Sequence, residues 1–306
     1  MTPRMMILLV GAALLLSTIN PIAALAADRI ERTIKVGELE RRYIAHVPKD
    51  AATRPALSVI FAFHPALATG EMFERVSGLH EQPGAEDFLI IYPDGIGRTW
   101  NTGACCGQAK RQEVDDLAFV RAMFADAARF GTISARRNFA VGFSNGARLS
   151  HYVACTMPER FAAIAVTGGK RDMSQGCEPA DRIARNPVSV FLIHGLEDTL
   201  SPYDGGPSAL PTVQQTPGMP ALQAYWTSAN QCTGQETTTR LGSLQCQETI
   251  RCADQRLVIT CPVPGMGHWW PGQEPQQRWA TRMFGPARPD LPAAREIIEF
   301  FASTRD

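Results

Sequence analysis

The segment NFAVGFSNGARL, residues 138–149, decides how the chain is read. Asn138–Val141 is a short apolar run of the kind that forms a buried strand, and Asn145–Cys155 has helical character. Between them stands Gly142-Phe143-Ser144-Asn145-Gly146, a G-x-S-x-G in the strand–turn–helix setting that lifts a serine hydroxyl clear of a sheet. The turn is tight, so glycine is needed where a larger side chain would clash. The helix that follows turns its positive dipole end toward negative charge developing at the serine.

Working outward, the same kind of run recurs at Leu57–Phe63, Phe88–Tyr92, Ala162–Val166, Val188–Ile193 and Leu257–Thr260. Nearly continuous apolar strands belong to a parallel sheet covered by helices on both faces. Helical stretches alternate with them: Val114–Phe130 behind Asp115 and Asp116, Ala221–Asn230, and Pro292–Ala302 with Asp290 as its expected cap. Arg32–Val36 and Arg41–Val47 alternate about Gly37 and predict an antiparallel hairpin. The expectation is an α/β protein, a mostly parallel doubly wound sheet with an antiparallel N-terminal hairpin. Ligands then bind beyond the carboxyl ends of the strands.

Residues 1–26 read as a signal peptide: Arg4, an apolar run from Met5 to Ile19, and Ala24-Leu25-Ala26 for cleavage. The run is too short for a membrane span, which takes about 20 apolar residues. Residues 27–306 are expected to form a single catalytic domain, secreted to the extracellular space or periplasm. Without Arg4 the chain has 29 Lys+Arg against 30 Asp+Glu, so nothing electrostatic points to nucleic acid or an anionic membrane. The sequence leaves the oligomeric state open. Eight cysteines in an exported chain read as disulfides. They lack the paired spacing of a metal site, so neither metal nor cofactor is expected.

A serine hydroxyl needs a base, and on this kind of fold an acid and then a histidine follow it in the chain. Three histidines come after Ser144. His151 lies two turns along the same helix, leading away. His194 ends a buried strand, where a later acid would break the order. His268, in the glycine-rich loop Gly265–Gly272, is the expected base. Asp198, in the loop after Val188–Ile193, is the expected acid, with Glu197 second and Asp204 third. Its role would be to orient the imidazole and stabilise the imidazolium. The oxyanion of a tetrahedral intermediate needs two donors. One is expected from Asn145 N–H and one from Ala66 N–H, because Pro65 has none. Trp100, Tyr203, Trp269 and Trp270 lie on loops at the same end and are expected to form an apolar substrate wall.

With these residues in place, the chain resembles the polyhydroxybutyrate depolymerase and feruloyl esterase group, carbohydrate esterase family 1 of the α/β-hydrolase superfamily. The resemblance spans roughly residues 32–301. It rests on Tyr92-Pro93-Asp94-Gly95, Trp100-Asn101, Cys105-Cys106-Gly107, Val114-Asp115-Asp116, Gly142–Gly146, His194-Gly195 with Asp198, Pro202–Gly206, and Gly267-His268 with Trp270-Pro271-Gly272. It implies the same Ser144, Asp198 and His268 and a small or oligomeric ester substrate. Two features depart from the family: His64-Pro65 replaces the usual His-Gly, and the 232–261 region is richer in cysteine. A hairpin turning at Ala253–Gln255 sets Cys246 opposite Cys261 and leaves Cys232 for Cys252. Cys105 or Cys106 is paired with Cys155, or the two adjacent cysteines with each other. A hydrolase fold kept as an extracellular binding module and a serine peptidase are the competing readings. The first is disfavoured because all three residues are present, the second because no accompanying propeller or lid is seen.

Overall fold

A computed structural model describes residues 27–103, 105–171, 177, 181–209, 216–275 and 278–305. The expected signal peptide, residues 1–26, lies outside the described residues.

The strands in chain order are β1 (Asp28–Val36), β2 (Leu39–Val47), β3 (Ser58–Phe63), β4 (Phe88–Pro93), β5 (Asn138–Phe143), β6 (Phe161–Thr167), β7 (Ser189–Gly195), β8 (Gly205–Gly206), β9 (Thr216–Pro217), β10 (Glu236–Leu241), β11 (Leu244–Thr249) and β12 (Val258–Val263). Ten of them form one sheet in the order β1-β2-β4-β3-β5-β6-β7-β12-β11-β10, and β8 and β9 make a small separate ladder. The six central strands from β4 to β12 are parallel. The sheet is antiparallel at both ends. Strand order reverses around β3, which places β5 and its loop at a crevice-forming position. This is the expected doubly wound α/β architecture.

Local chemistry explains the elements. β3 to β7 are buried at every residue, as strands covered on both faces must be. β1 is exposed at every other residue or more, consistent with a sheet edge. The hairpin turns on Gly37, at φ 59°, with Val36 opposite Leu39. Asp115 caps the helix Asp116–Ala127 by accepting Ala118 N–H at 2.8 Å, a contact worth about 1 kcal/mol. The C-terminal helix, Ala294–Ser303, buries Ile297, Ile298 and Phe301, and Phe301 stacks on Phe139 of β5. Asp290 does not cap it. The helix starts later, after Ala293, and Asp290 is held by Arg288 at 2.8 Å.

Four disulfides join the eight cysteines: 105–106, 155–177, 232–252 and 246–261. The expected Cys246–Cys261 and Cys232–Cys252 pairs are present. Gln247 faces Thr260 across β11 and β12, so Cys246 and Cys261 extend the same register. Cys105 and Cys106 pair with each other and neither pairs with Cys155. Cys155, at the end of the helix Asn145–Thr156, is taken by Cys177.

Candidate active site

The β5 strand delivers Ser144 to a sharp turn with φ 53° and ψ −114°, outside the regions L-residues favour. Two glycines permit it. A Cβ on Gly142 would strike the Gly146 carbonyl, and one on Gly146 would strike the Phe63 carbonyl of β3. The helix Asn145–Thr156 can therefore start directly against the sheet.

His268 comes from the loop after β12 and Asp198 from the loop after β7. His268 Nε2 lies 2.8 Å from Ser144 Oγ, and His268 Nδ1 lies 2.8 Å from Asp198 Oδ2. The three residues expected from the sequence thus meet in one hydrogen-bonded series. Asp198 is held from both sides. Its Oδ1 accepts Leu200 N–H at 2.9 Å and Ser201 N–H at 2.8 Å, while His194 Nε2 stands 3.3 Å from Oδ2. Burial pushes the Asp198 carboxyl up, but His268 and His194 more than offset that and hold it well below the usual carboxylate range. Phe143 packs against the His268 ring at 5.2 Å. Arranged this way, the imidazole can take the Ser144 proton, and an ionised carboxylate can stabilise the imidazolium that forms.

The other candidates are employed differently. His151 is buried and accepts Trp226 Nε1–H at 3.3 Å. Glu197 accepts Met266 N–H at 3.1 Å and bears no bond to His268. A cleft of about 570 Å³ runs beside the acid's loop, between Leu196–Thr199 and residues 202 and 207–209.

Around the loop after β3, Leu67 N–H is bonded to Arg98 O at 2.9 Å and Ala68 N–H to Pro65 O at 3.2 Å. Among the described residues, Ala66 N–H has no such partner. Asn145 is the first residue of its helix, where N–H groups lack intrahelical acceptors. Its side chain is locked, accepting Trp100 N–H at 2.7 Å and donating to Trp100 O at 3.1 Å. Sequence reasoning missed the role of His64. Its Nδ1 lies 2.8 Å from Pro65 O, and its Nε2 accepts Gly95 N–H at 2.9 Å. A neutral ring with its proton on Nδ1 bridges the two loops. Burial pushes its pKa down to about 4.

The expected apolar wall needs correction. Trp100 is fully buried, its Nε1–H given to His64 O at 2.9 Å. Trp270 is buried against Phe73, and Trp269 is buried with its N–H on Gly285 O. Each indole packs the loops and presents almost nothing to a ligand. Tyr203 alone of the four is half-buried, over His194. The reason is physical: an indole on a short loop gains more from burial with its N–H satisfied than from facing water.

Among the described residues one group of metal-capable side chains gathers, His46, Glu74 and His80, on strand β2 and beyond. Arg29 occupies both Glu74 oxygens, at 2.8 and 3.0 Å, and His46 holds one of them, so an ion would have to displace a guanidinium.

The sheet order and the sharp serine turn define the α/β-hydrolase fold. Two solved structures share it over most of the chain. Acetyl xylan esterase from Aspergillus awamori has a TM-score of 0.55 at 18% identity, covering 88% of this chain and 99% of its own. A predicted CIB-like hydrolase from Thermoplasma acidophilum has a TM-score of 0.51 at 14% identity, covering 90% and 98%. No protein-family model matches the chain. Among curated proteins, feruloyl esterase B of Piromyces equi is 25% identical over 244 residues, 74% of this chain and 42% of its own. The putative esterase NocK of Nocardia uniformis is 25% identical over 262 residues, 80% and 75%. The probable feruloyl esterase C of Aspergillus niger is 29% identical over 174 residues, 54% and 58%. The chain therefore spans about half the length of two of these relatives. The resemblance to the feruloyl esterase group, read from the motifs, is borne out by these similarities.

Proposed function

We propose that the chain is a secreted serine hydrolase of carboxylic esters, with Ser144 as nucleophile, His268 as general base and Asp198 as the acid that orients it. The reading is carried by the unbroken series Ser144 Oγ, His268, Asp198 with both contacts at 2.8 Å. Attack of Oγ on the ester carbonyl would pass its proton to His268 Nε2 and expel the alcohol with that proton. Water, deprotonated by the same imidazole, would then cleave the acyl-enzyme. Asn145 N–H and Ala66 N–H are the proposed oxyanion donors. The esterase names of the relatives support ester chemistry, and a short feruloyl, acetyl or hydroxyalkanoate ester is the proposed substrate. Four disulfides favour an oxidising compartment and so support export. Among the described residues no helix is long and apolar enough to cross a membrane.

Turnover of p-nitrophenyl acetate and butyrate tests the reading. The protein should hydrolyse both, and Ser144→Ala should lose about 10³-fold or more in kcat. Full activity in the variant would remove Ser144 from the chemistry, and no turnover by the unaltered protein would favour a binding module. Methyl ferulate, acetylated xylan and hydroxybutyrate oligomers then separate the substrate classes.

A further inference from the structure

Arg148 stands one helical turn beyond Ser144, its backbone N–H bonded to Ser144 O at 3.1 Å. Side chains on a helix lean toward its N-terminus, which for the helix of Arg148 is the end that Ser144 opens. The residue is only 8% exposed. Among the described residues no carboxylate lies in ion-pair contact with it, and the charge that acts on it is of its own sign, Arg171. Arg171 is itself buried, with its guanidinium 4.1 Å over the Tyr152 ring and donating to Thr102 O.

The loop carrying Arg171 lies against the same serine. A Cβ on Gly169 would strike Ser144 O, and one on Gly168 would stand 3.4 Å from His268 Nδ1. Between them and Arg171, Lys170 is fully buried and donates to the Ser201 and Pro202 carbonyls, neutral acceptors. Asp198 and Asp204 are the acids that act on it, and Asp198 is already engaged by His268. Two segments that touch the nucleophile thus bring three buried cations together, and for one of them, Arg148, no counter-charge stands among the described residues. Burying a cation in this way is costly unless a ligand supplies the anion. A guanidinium fork matches a carboxylate, donating two parallel N–H bonds to its oxygens.

We propose that Arg148, supported by Arg171, is a carboxylate subsite beside Ser144, and that the preferred esters carry a free carboxylate. Half-esters of dicarboxylic acids bear it on the acyl side, and hydroxyacid oligomers bear it on the alcohol side. The proposal rests on the hydrolase reading and narrows its substrate.

Paired esters test it on the full protein. One arm compares mono-(4-nitrophenyl) glutarate with 4-nitrophenyl butyrate, and the other compares 3-acetoxybutyrate with its methyl ester. In at least one arm the anionic member should have a kcat/KM about 10-fold or more above the neutral one, as expected for a hydrogen-bonded charge pair. The arm that shows it tells which side of the ester carries the charge. In Arg148→Gln that ratio should fall toward unity, and Arg148→Lys should keep part of it. A ratio at or below unity in both arms, or one unmoved by Arg148→Gln, overturns the subsite while neutral-ester turnover leaves the hydrolase reading intact. Should no ester be cleaved, the hydrolase reading fails by itself. Calorimetric binding of glutarate, lost in Arg148→Gln, then decides the subsite separately: no binding by the unaltered protein overturns it.

Discussion

The ring of His64 sits between two backbone groups, donating a hydrogen bond to Pro65 O and accepting one from Gly95 N–H, so it serves the loop only when neutral. The unfolded chain takes up a proton near the ordinary imidazole value of 6.5, whereas buried His64 resists it down to about 4. In that window the unfolded state binds more protons, so stability rises with pH across it and is lost as pH falls. The loss through this ring is about 3 kcal/mol between pH 6.5 and 4. Chemical denaturation at stepped pH should show this fall, and His64→Asn should flatten it. An unchanged slope in the variant would mean that other groups set it. That Ser144, Asp198 and His268 would meet was legible in the sequence, because a serine–imidazole–carboxylate series calls for these residue types and the fold for this order. The bridging role of His64 was not. Nothing in the string His64-Pro65 records that Gly95, 31 residues on, would donate to the ring. The indoles misled for the same reason, since loop position is written in the sequence and exposure is not.

Among the elements, the helix Asn145–Thr156 depends on close approach. Gly146 lies where a Cβ would strike Phe63 O and stand 2.7 Å from His64 O, so Gly146→Ala should displace the helix start and with it Ser144. Loss of most ester turnover, with far-ultraviolet circular dichroism largely kept, is the expected result. The helix Asp116–Ala127 depends on charge. Asp116 Oδ1 lies 2.7 Å from Arg41, and Oδ2 accepts Asn101 N–H at 2.7 Å, tying the Trp100 loop to the framework. Burial pushes the Asp116 carboxyl up and the Arg41 guanidinium down, so desolvation outweighs their attraction. Removing one partner should still cost about 3–5 kcal/mol, because the other is left buried and charged. Arg41→Met measured by urea unfolding checks this, and a loss under 1 kcal/mol would mean the pair is dispensable. Buried strands and amphipathic helices were readable from periodicity. The helix Gly70–Ser77 and strand β10 were not anticipated. β10 is Glu236–Leu241, an edge strand that is mostly exposed and threonine-rich, so it lacks the apolar run that marks the central strands, and it pairs with β11 as a hairpin turning at Gly242-Ser243.

Across the whole molecule, the parallel centre of the sheet and its antiparallel N-terminal hairpin follow from local patterns, while the far antiparallel edge is held by disulfides. The Cys246–Cys261 bond closes a separation of 15 residues, and Cys232–Cys252 one of 20. Replacing Cys246 and Cys261 together with serine should lower stability by about 2–4 kcal/mol, read from urea midpoints. Of the two alternatives open for Cys105 and Cys106, the bond between them is the one present, and the Cys155–Cys177 bond was not named because it depends on how the end of the helix Asn145–Thr156 packs. The central claim is that the elbow serine, activated by His268, forms a covalent bond with an electrophile. Mass spectrometry after treatment with a fluorophosphonate measures it most directly. One adduct per chain, mapped to Ser144, absent in Ser144→Ala and formed far more slowly in His268→Ala, is the predicted result; no adduct, or one on another residue, would contradict it.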